Sequence, residues 1–347
     1  MKFCFFRLMP YTDVANAPTK WPVANAAFDS HKANALYRRY VDTTRERARR
    51  KQTGWWQPRN PEACANGWYG VEGTVSMSAL RDGEVAKVDI AGIEVEILTR
   101  GQGRPLLFLH PHIGLDHASP FIAHLAKTFR VIAPSHPGFG HSALPAFMTS
   151  VDDLAYFYLD LLAALDLREV VVAGVSFGGW LAASIAVKTT ERISRLILAD
   201  AVGLKLGGPE TRDIVDIFTT KQHEVEALAY HQGAAPDKDM KAMSEDELLV
   251  LFRNRESTAR FAWSPYMRDP KLAHRLHRID VPTLVLWGES DRIALPDYGR
   301  AYAAQIPGAT FDLIREAGHF PHVEQPETFA QKIVDFVNRT GNKSTAR

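Results

Sequence analysis

Ser176, Asp291 and His319 are the residues of this 347-residue chain whose types and settings together could do chemistry. Ser176 lies in Gly174-Val175-Ser176-Phe177-Gly178, after an apolar, β-branched run at residues 170–173 and before a helix-like segment at 180–188. Glycine at 174 and 178 removes side chains where a chain doubles back from strand to helix, so the serine hydroxyl projects from a strained bend. The peptide N–H groups just beyond Ser176 would open that helix and could receive a developing negative charge. A plain glycine-rich turn has the same composition, and a neutral hydroxyl is a weak nucleophile until a base, itself oriented by an acid, sits beside it. Asp291 closes Gly288-Glu289-Ser290-Asp291, just past the strand-like run 282–287, and His319 falls in the loop after Thr310–Ile314. All three follow predicted strand ends, where sites in open parallel sheets gather. Glu289 and Asp200 are alternative acids and His322 an alternative base.

The elements that must position these residues follow from periodicity. Val85–Ile90 and residues 93–98 alternate around Ala91-Gly92, as a half-exposed hairpin does. Residues 106–109, 130–133, 170–173, Ile193–Ala199, 282–287 and Thr310–Ile314 read as buried strands. Helices are predicted between them at 119–128, 151–165 (capped by Ser150), 180–188, 297–304 (led in by Pro296) and 326–338. Strands alternating with helices imply an α/β fold with a mostly parallel sheet covered on both faces. Residues 202–280 interrupt the alternation with amphipathic pieces at 211–218 and 244–254, expected to form a helical lid inserted between two late strands. Its aromatics include Phe261, Trp263 and Tyr266, which either line a substrate pocket or form the lid's own core. The expected organisation is a core of 81–201 and 281–340, the lid at 202–280, an N-terminal extension at 1–80 and a tail at 341–347.

Composition excludes several function classes. With 41 Lys and Arg against 40 Asp and Glu, a net charge of +1 gives no bulk attraction to nucleic acid or an anionic membrane. The basic run 45–51 reads as a solvated helix face. Two cysteines, Cys4 and Cys64, cannot build a disulfide framework, and no stretch approaches membrane-spanning length. A cytoplasmic protein acting on a small-molecule substrate is expected, with no cofactor and an unspecified oligomeric state. Histidines are dense between 110 and 141, but no acid or cysteine joins them at a metal-ligand spacing, so no metal is expected.

Taken together, the Ser176 turn, Asp291 and His319 resemble the α/β-hydrolase family over residues 85 to 340. The resemblance implies that Ser176 attacks a carbonyl, His319 carries its proton and Asp291 orients the imidazolium. An oxyanion hole would combine the N–H of Phe177 with one from the loop His110-Pro111-His112-Ile113-Gly114. Relatives usually carry His-Gly there; proline has no N–H, so the donor passes by position to His112. The loop 135–142 is similar to the family's glycine-rich turn after a strand. A carboxylic ester hydrolase working through an acyl-enzyme is the leading expectation. A carbon–carbon bond hydrolase of ring-fission diketones is the alternative, with Arg255, Arg260 or Arg268 holding a substrate carboxylate. A non-catalytic ligand-binding protein on the same fold is the third reading. Residues 1–45, with Phe28-Asp29 and Leu36-Tyr37, resemble the start of luciferase-like flavin monooxygenases, but one strand and one helix close no (β/α)₈ barrel.

Overall fold

The computed structural model describes residues 80–208, 211–236 and 240–341. The expectations for residues 1–79, including the luciferase-like stretch, and for the tail after 341 lie outside the described residues.

Eight strands form a single sheet: β1 (Val85–Ile90), β2 (Ile93–Arg100), β3 (Arg104–Leu109), β4 (Phe129–Pro134), β5 (Val170–Val175), β6 (Ile193–Ala199), β7 (Thr283–Gly288) and β8 (Thr310–Ile314). Their spatial order is β1-β2-β4-β3-β5-β6-β7-β8. The β1–β2 hairpin and the β2–β4 pair are antiparallel, and every later pair is parallel. The centre of this sheet is β5, buried along its whole length. Its side chains alternate faces, Val170 and Val172 packing on one side and Val171, Ala173 and Val175 on the other. This is why the central strands are continuously apolar while β1 alternates.

Helices cover both faces. α1 (Pro120–Leu125) and α8 (Pro326–Gly341) share one apolar layer, through Phe121, Ile122, Phe329 and Ile333. On the other face lie α2 (Val151–Ala164), α3 (Phe177–Ala186) and α6 (Pro296–Ala304), with Leu154, Leu181 and Tyr302 fully buried. α2 begins with the expected cap: Ser150 Oγ accepts the Asp153 N–H and the Asp153 carboxylate accepts the Ser150 N–H. A short helix not anticipated from the sequence, α7 (Pro321–Glu324), precedes α8.

Between β6 and β7 the chain forms α4 (Gln222–Ala229) and α5 (Glu245–Ala262), with 3₁₀ turns at His231–Gly233 and Ala273–Arg278. The helix expected at 211–218 is absent. Asp213 accepts the N–H groups of Leu206 and Gly207, and Asp216 those of Phe218 and Thr219. These local side-chain bonds compete with a helical ladder. The piece at 244–254 is instead the start of the longer α5, opened by a reciprocal Ser244–Glu247 capping box.

Candidate active site

Ser176 stands between β5 and α3, where its backbone takes φ +52 and ψ −113. Such a conformation is strained for any residue with a Cβ and persists only where the surroundings hold it. Its N–H donates to Ala199 O at 2.9 Å and its carbonyl accepts Trp180 N–H at 3.1 Å, tying the bend to β6 and α3. A Cβ on Gly178 would collide with the Leu109 carbonyl, so α3 can start this close to the end of β3 only with glycine there. The helix consequently begins at Phe177, directly after the serine, rather than at residue 180.

The other two loops are stitched to one another. Glu289 and Ser290 donate their N–H groups to Ile314 O and Ala317 O, and a Cβ on Gly288 would strike the Gly318 carbonyl. This brings Asp291 and His319 together although 28 residues separate them. His319 Nδ1 lies 2.8 Å from Asp291 Oδ2, and its Nε2 lies 2.8 Å from Ser176 Oγ. The carboxylate can only accept, so the network assigns the Nδ1 proton to the Asp291 bond and leaves Nε2 to accept from the hydroxyl. Asp291 Oδ1 accepts the N–H groups of Ile293 at 2.8 Å and Ala294 at 3.1 Å. Ser176, Asp291 and His319 are each 1% exposed, so these bonds operate away from bulk water. Both imidazole nitrogens of His319 are engaged within this chain of bonds. In chemical terms the arrangement is a hydroxyl beside a base that a buried carboxylate orients, which suits nucleophilic attack on a carbonyl.

The alternatives fall elsewhere. Glu289 is exposed. His322 is buried among the rings of Phe108, Phe121 and Phe329, with its Nδ1 unpartnered, and burial lowers its pKa to about 3. Asp200 is buried directly behind Asp291, with its Oδ1 accepting the Gly288 N–H at 2.8 Å.

At the oxyanion positions, the N–H groups of Phe177 and His112 meet no acceptor among the described residues. Pro111 does not disrupt the loop: its carbonyl accepts Gly114 N–H at 3.0 Å, closing a tight turn that carries His112. The His112 carbonyl accepts the Thr258 hydroxyl at 3.1 Å, which anchors that turn to α5. Burial, with His319 and Arg255 nearby, lowers the His112 pKa to about 3, so a neutral imidazole borders the site. His110 and His136 stack with ring centroids 3.6 Å apart; His136 hydrogen-bonds Tyr158 Oη and the His110 carbonyl, and burial keeps both imidazoles neutral. They brace the loops after β3 and β4.

Of the three insertion aromatics, Phe261 packs 6.4 Å from the Phe177 ring, beside the nucleophile. Trp263 and Tyr266 pack instead on Phe218, and the Tyr266 hydroxyl donates to Val215 O at 2.6 Å, all within the insertion. Sequence reasoning missed Phe320, whose ring stands 5.2 Å from that of His319, and Glu324. Glu324 accepts the N–H groups of Gly318 and His231, pinning the histidine loop to the insertion. Phe320 was adjacent to a candidate and could have been found; nothing in a helical glutamate signals the second.

No helix among the described residues is long and apolar enough to cross a membrane. Among curated proteins, the chain is 26% identical over 269 residues to a 2-hydroxymuconate semialdehyde hydrolase of Pseudomonas putida, covering 71% of this chain and 92% of that one. It is 26% identical over 275 residues to a 2-hydroxy-6-oxo-6-(2'-aminophenyl)hexa-2,4-dienoic acid hydrolase of Metapseudomonas resinovorans, covering 75% and 92%. Among solved structures, a serine hydrolase involved in carbazole degradation superposes with a TM-score of 0.59 at 23% identity, covering 74% of this chain and 99% of that one. The sequence also matches the Alpha/beta hydrolase family over residues 106–332, the span that carries the sheet from β3 onward and all three candidate residues. The chain therefore belongs to the alpha/beta hydrolase family.

Proposed function

We propose that this hydrolase cleaves a carbon–carbon bond next to a ketone in a small ring-fission diketone bearing a carboxylate, with Ser176, His319 and Asp291 as its catalytic triad. The two 2.8 Å contacts of His319 carry the serine mechanism. Ser176 Oγ adds to the ketone as His319 takes its proton, and the resulting oxyanion lies between the N–H groups of Phe177 and His112. Collapse breaks the carbon–carbon bond; His319 returns the proton to the departing carbon, and water then releases the acyl group from Ser176. Two observations favour a diketone over an ester. The curated relatives named above act on a hydroxymuconate semialdehyde and on a 2-hydroxy-6-oxo dienoic acid, each a carboxylate with a second carbonyl and neither an ester. In addition, α5 carries a cation, Arg255, whose charge is felt at His112. Arg255 donates to Gln222 Oε1 at 3.0 Å and is the arginine assigned to the substrate carboxylate. Residues 202–280 act as the lid, with Phe261 against the apolar part of the substrate.

The carboxylic ester reading uses the same triad and stays as the second reading, because a tetrahedral oxyanion arises in both. A purely ligand-binding role is disfavoured, since a binder needs no hydrogen-bonded serine, histidine and aspartate. The deciding experiment is a panel of dienol diketones and short-chain p-nitrophenyl esters. Diketones are expected to turn over faster, and Ser176→Ala is expected to lower both rates at least about 10³-fold. Ester turnover without diketone turnover would move the assignment to the ester reading. Full activity in Ser176→Ala would sink the mechanism.

A further inference from the structure

A second buried carboxyl stands behind the triad. Asp200 follows β6, is fully buried and takes a left-handed backbone, φ +44, that a residue with a Cβ adopts at a cost. Its N–H donates to Leu286 O at 3.0 Å, and its Oδ1 accepts the Gly288 N–H at 2.8 Å, so both ends of the residue lock onto β7, the strand that leads to Asp291. Its Oδ2 is buried and meets no donor among the described residues. The carboxyl oxygens of Asp200 and Asp291 and a His319 nitrogen all lie within 4.8 Å of one another.

Two carboxylates facing each other away from water cannot both ionise cheaply; one keeps a proton. The donors decide which. Asp291 already accepts from His319 Nδ1 and from two peptide N–H groups. Asp200 is served by one peptide N–H, and its free oxygen faces an acceptor. Burial and the neighbouring Asp291 both push the Asp200 carboxyl well up from the usual range, in agreement with that count.

We propose that Asp200 is a positioning residue whose neutral carboxyl donates a hydrogen bond to the Asp291 carboxylate, fixing the acid that orients His319. This rests on the triad reading of Ser176, His319 and Asp291. The charged and titratable groups facing the pair are His319, with His112 and His322 beside it, and Glu324 on α7.

The role separates cleanly from that of a second anion. Asparagine reproduces a neutral donor: its amide oxygen can accept from Gly288 and its NH₂ can donate to Asp291. An ionised Asp200 could not be replaced this way, because the substitution would delete a negative charge close to His319. The test is the rate of covalent labelling of Ser176 by a fluorophosphonate, in which Oγ displaces fluoride from phosphorus, measured against pH for the wild type, Asp200→Ala and Asp200→Asn. Asp200→Ala is expected to slow labelling about 10- to 100-fold, the loss of one charge-assisted hydrogen bond. Asp200→Asn should recover most of that loss, with the acid limb of its pH profile at the wild-type position. An acid limb displaced to lower pH in Asp200→Asn would mean that Asp200 is an anion, and the proposal would fall. So would labelling of Asp200→Asn as slow as that of Asp200→Ala, or wild-type labelling in Asp200→Ala. If Asp200→Ala does not fold, the Asp200→Asn profile decides alone, supported by infrared detection at neutral pH of a protonated-carboxyl C=O band that Asp200→Asn removes. Failure of wild-type Ser176 to label, or labelling that survives Ser176→Ala, would instead sink the triad reading and this inference with it.

Discussion

The histidines show how burial fixes a residue's charge before any chemistry begins. His136 and His322 are both held near a pKa of about 3, chiefly by burial, so the folded protein keeps them neutral where an unfolded chain would protonate them. The sign follows from linkage. Above about pH 6.5 neither state binds the extra proton and stability is full. As pH falls from there toward 3, the unfolded chain gains protons that the folded one refuses, and stability declines. His322 is suited to a test because its surroundings are aromatic rings and its Nδ1 has no partner to lose. In His322→Leu, urea unfolding at pH 7.5 and pH 5 is expected to show a smaller stability loss than in the wild type, by about 2 kcal/mol. An identical loss in both proteins would show that His322 already titrates normally. The sequence favoured His319 over His322, three residues on, by its position in the loop; the structure sets the first ring against Ser176 and the second against Phe121.

Among the elements, α5 does most to connect the insertion to the sheet's functional edge. Asn254 accepts the Gly140 N–H and donates to Ile113 O, each at 3.0 Å, while Ser257 donates to Gly138 O and Thr258 to His112 O. One helical face thus binds the loops after β3 and β4, including the loop that presents the His112 N–H. Asn254→Ala removes two partly buried hydrogen bonds and leaves their backbone partners without Asn254, a loss of about 2 kcal/mol. The expected outcome is a lower unfolding temperature and a lower kcat, since the loop that presents the His112 N–H loosens while Ser176 and His319 stay in place. Unchanged kcat would separate α5 from the oxyanion position. This helix was half legible: the amphipathic turns at 244–254 were read from the sequence, but the Ser244–Glu247 cap and the continuation to Ala262 were not. Tertiary bonds from Asn254, Ser257 and Thr258 hold residues whose intrinsic helix preference is weak.

At the scale of the whole molecule, the core formed by the described residues starts at Leu80. Leu80 itself packs in the apolar layer with Ile90 and Ile97, and β1 forms the outer edge of the sheet. A chain beginning at Leu80 is therefore expected to fold and to retain Ser176 labelling by a fluorophosphonate at the full-length rate. Aggregation of that shortened chain, or loss of labelling, would give residues 1–79 a structural role. The sequence by itself determined the order of the eight strands and of the longer helices that flank the sheet, because continuous apolar runs, glycine turns and the Ser150 cap are local signals. It also determined that Ser176, Asp291 and His319 each follow a strand, since the residues around each are contiguous. Only the tertiary structure decided what crosses between segments: the 2.8 Å contacts of His319, the pinning of its loop by Glu324, and Asp200 facing Asp291 from another strand. These depend on the parallel register of β6, β7 and β8, which pattern alone does not specify. A carboxyl's charge state is further set by burial and by the donors that the packed chain brings to it.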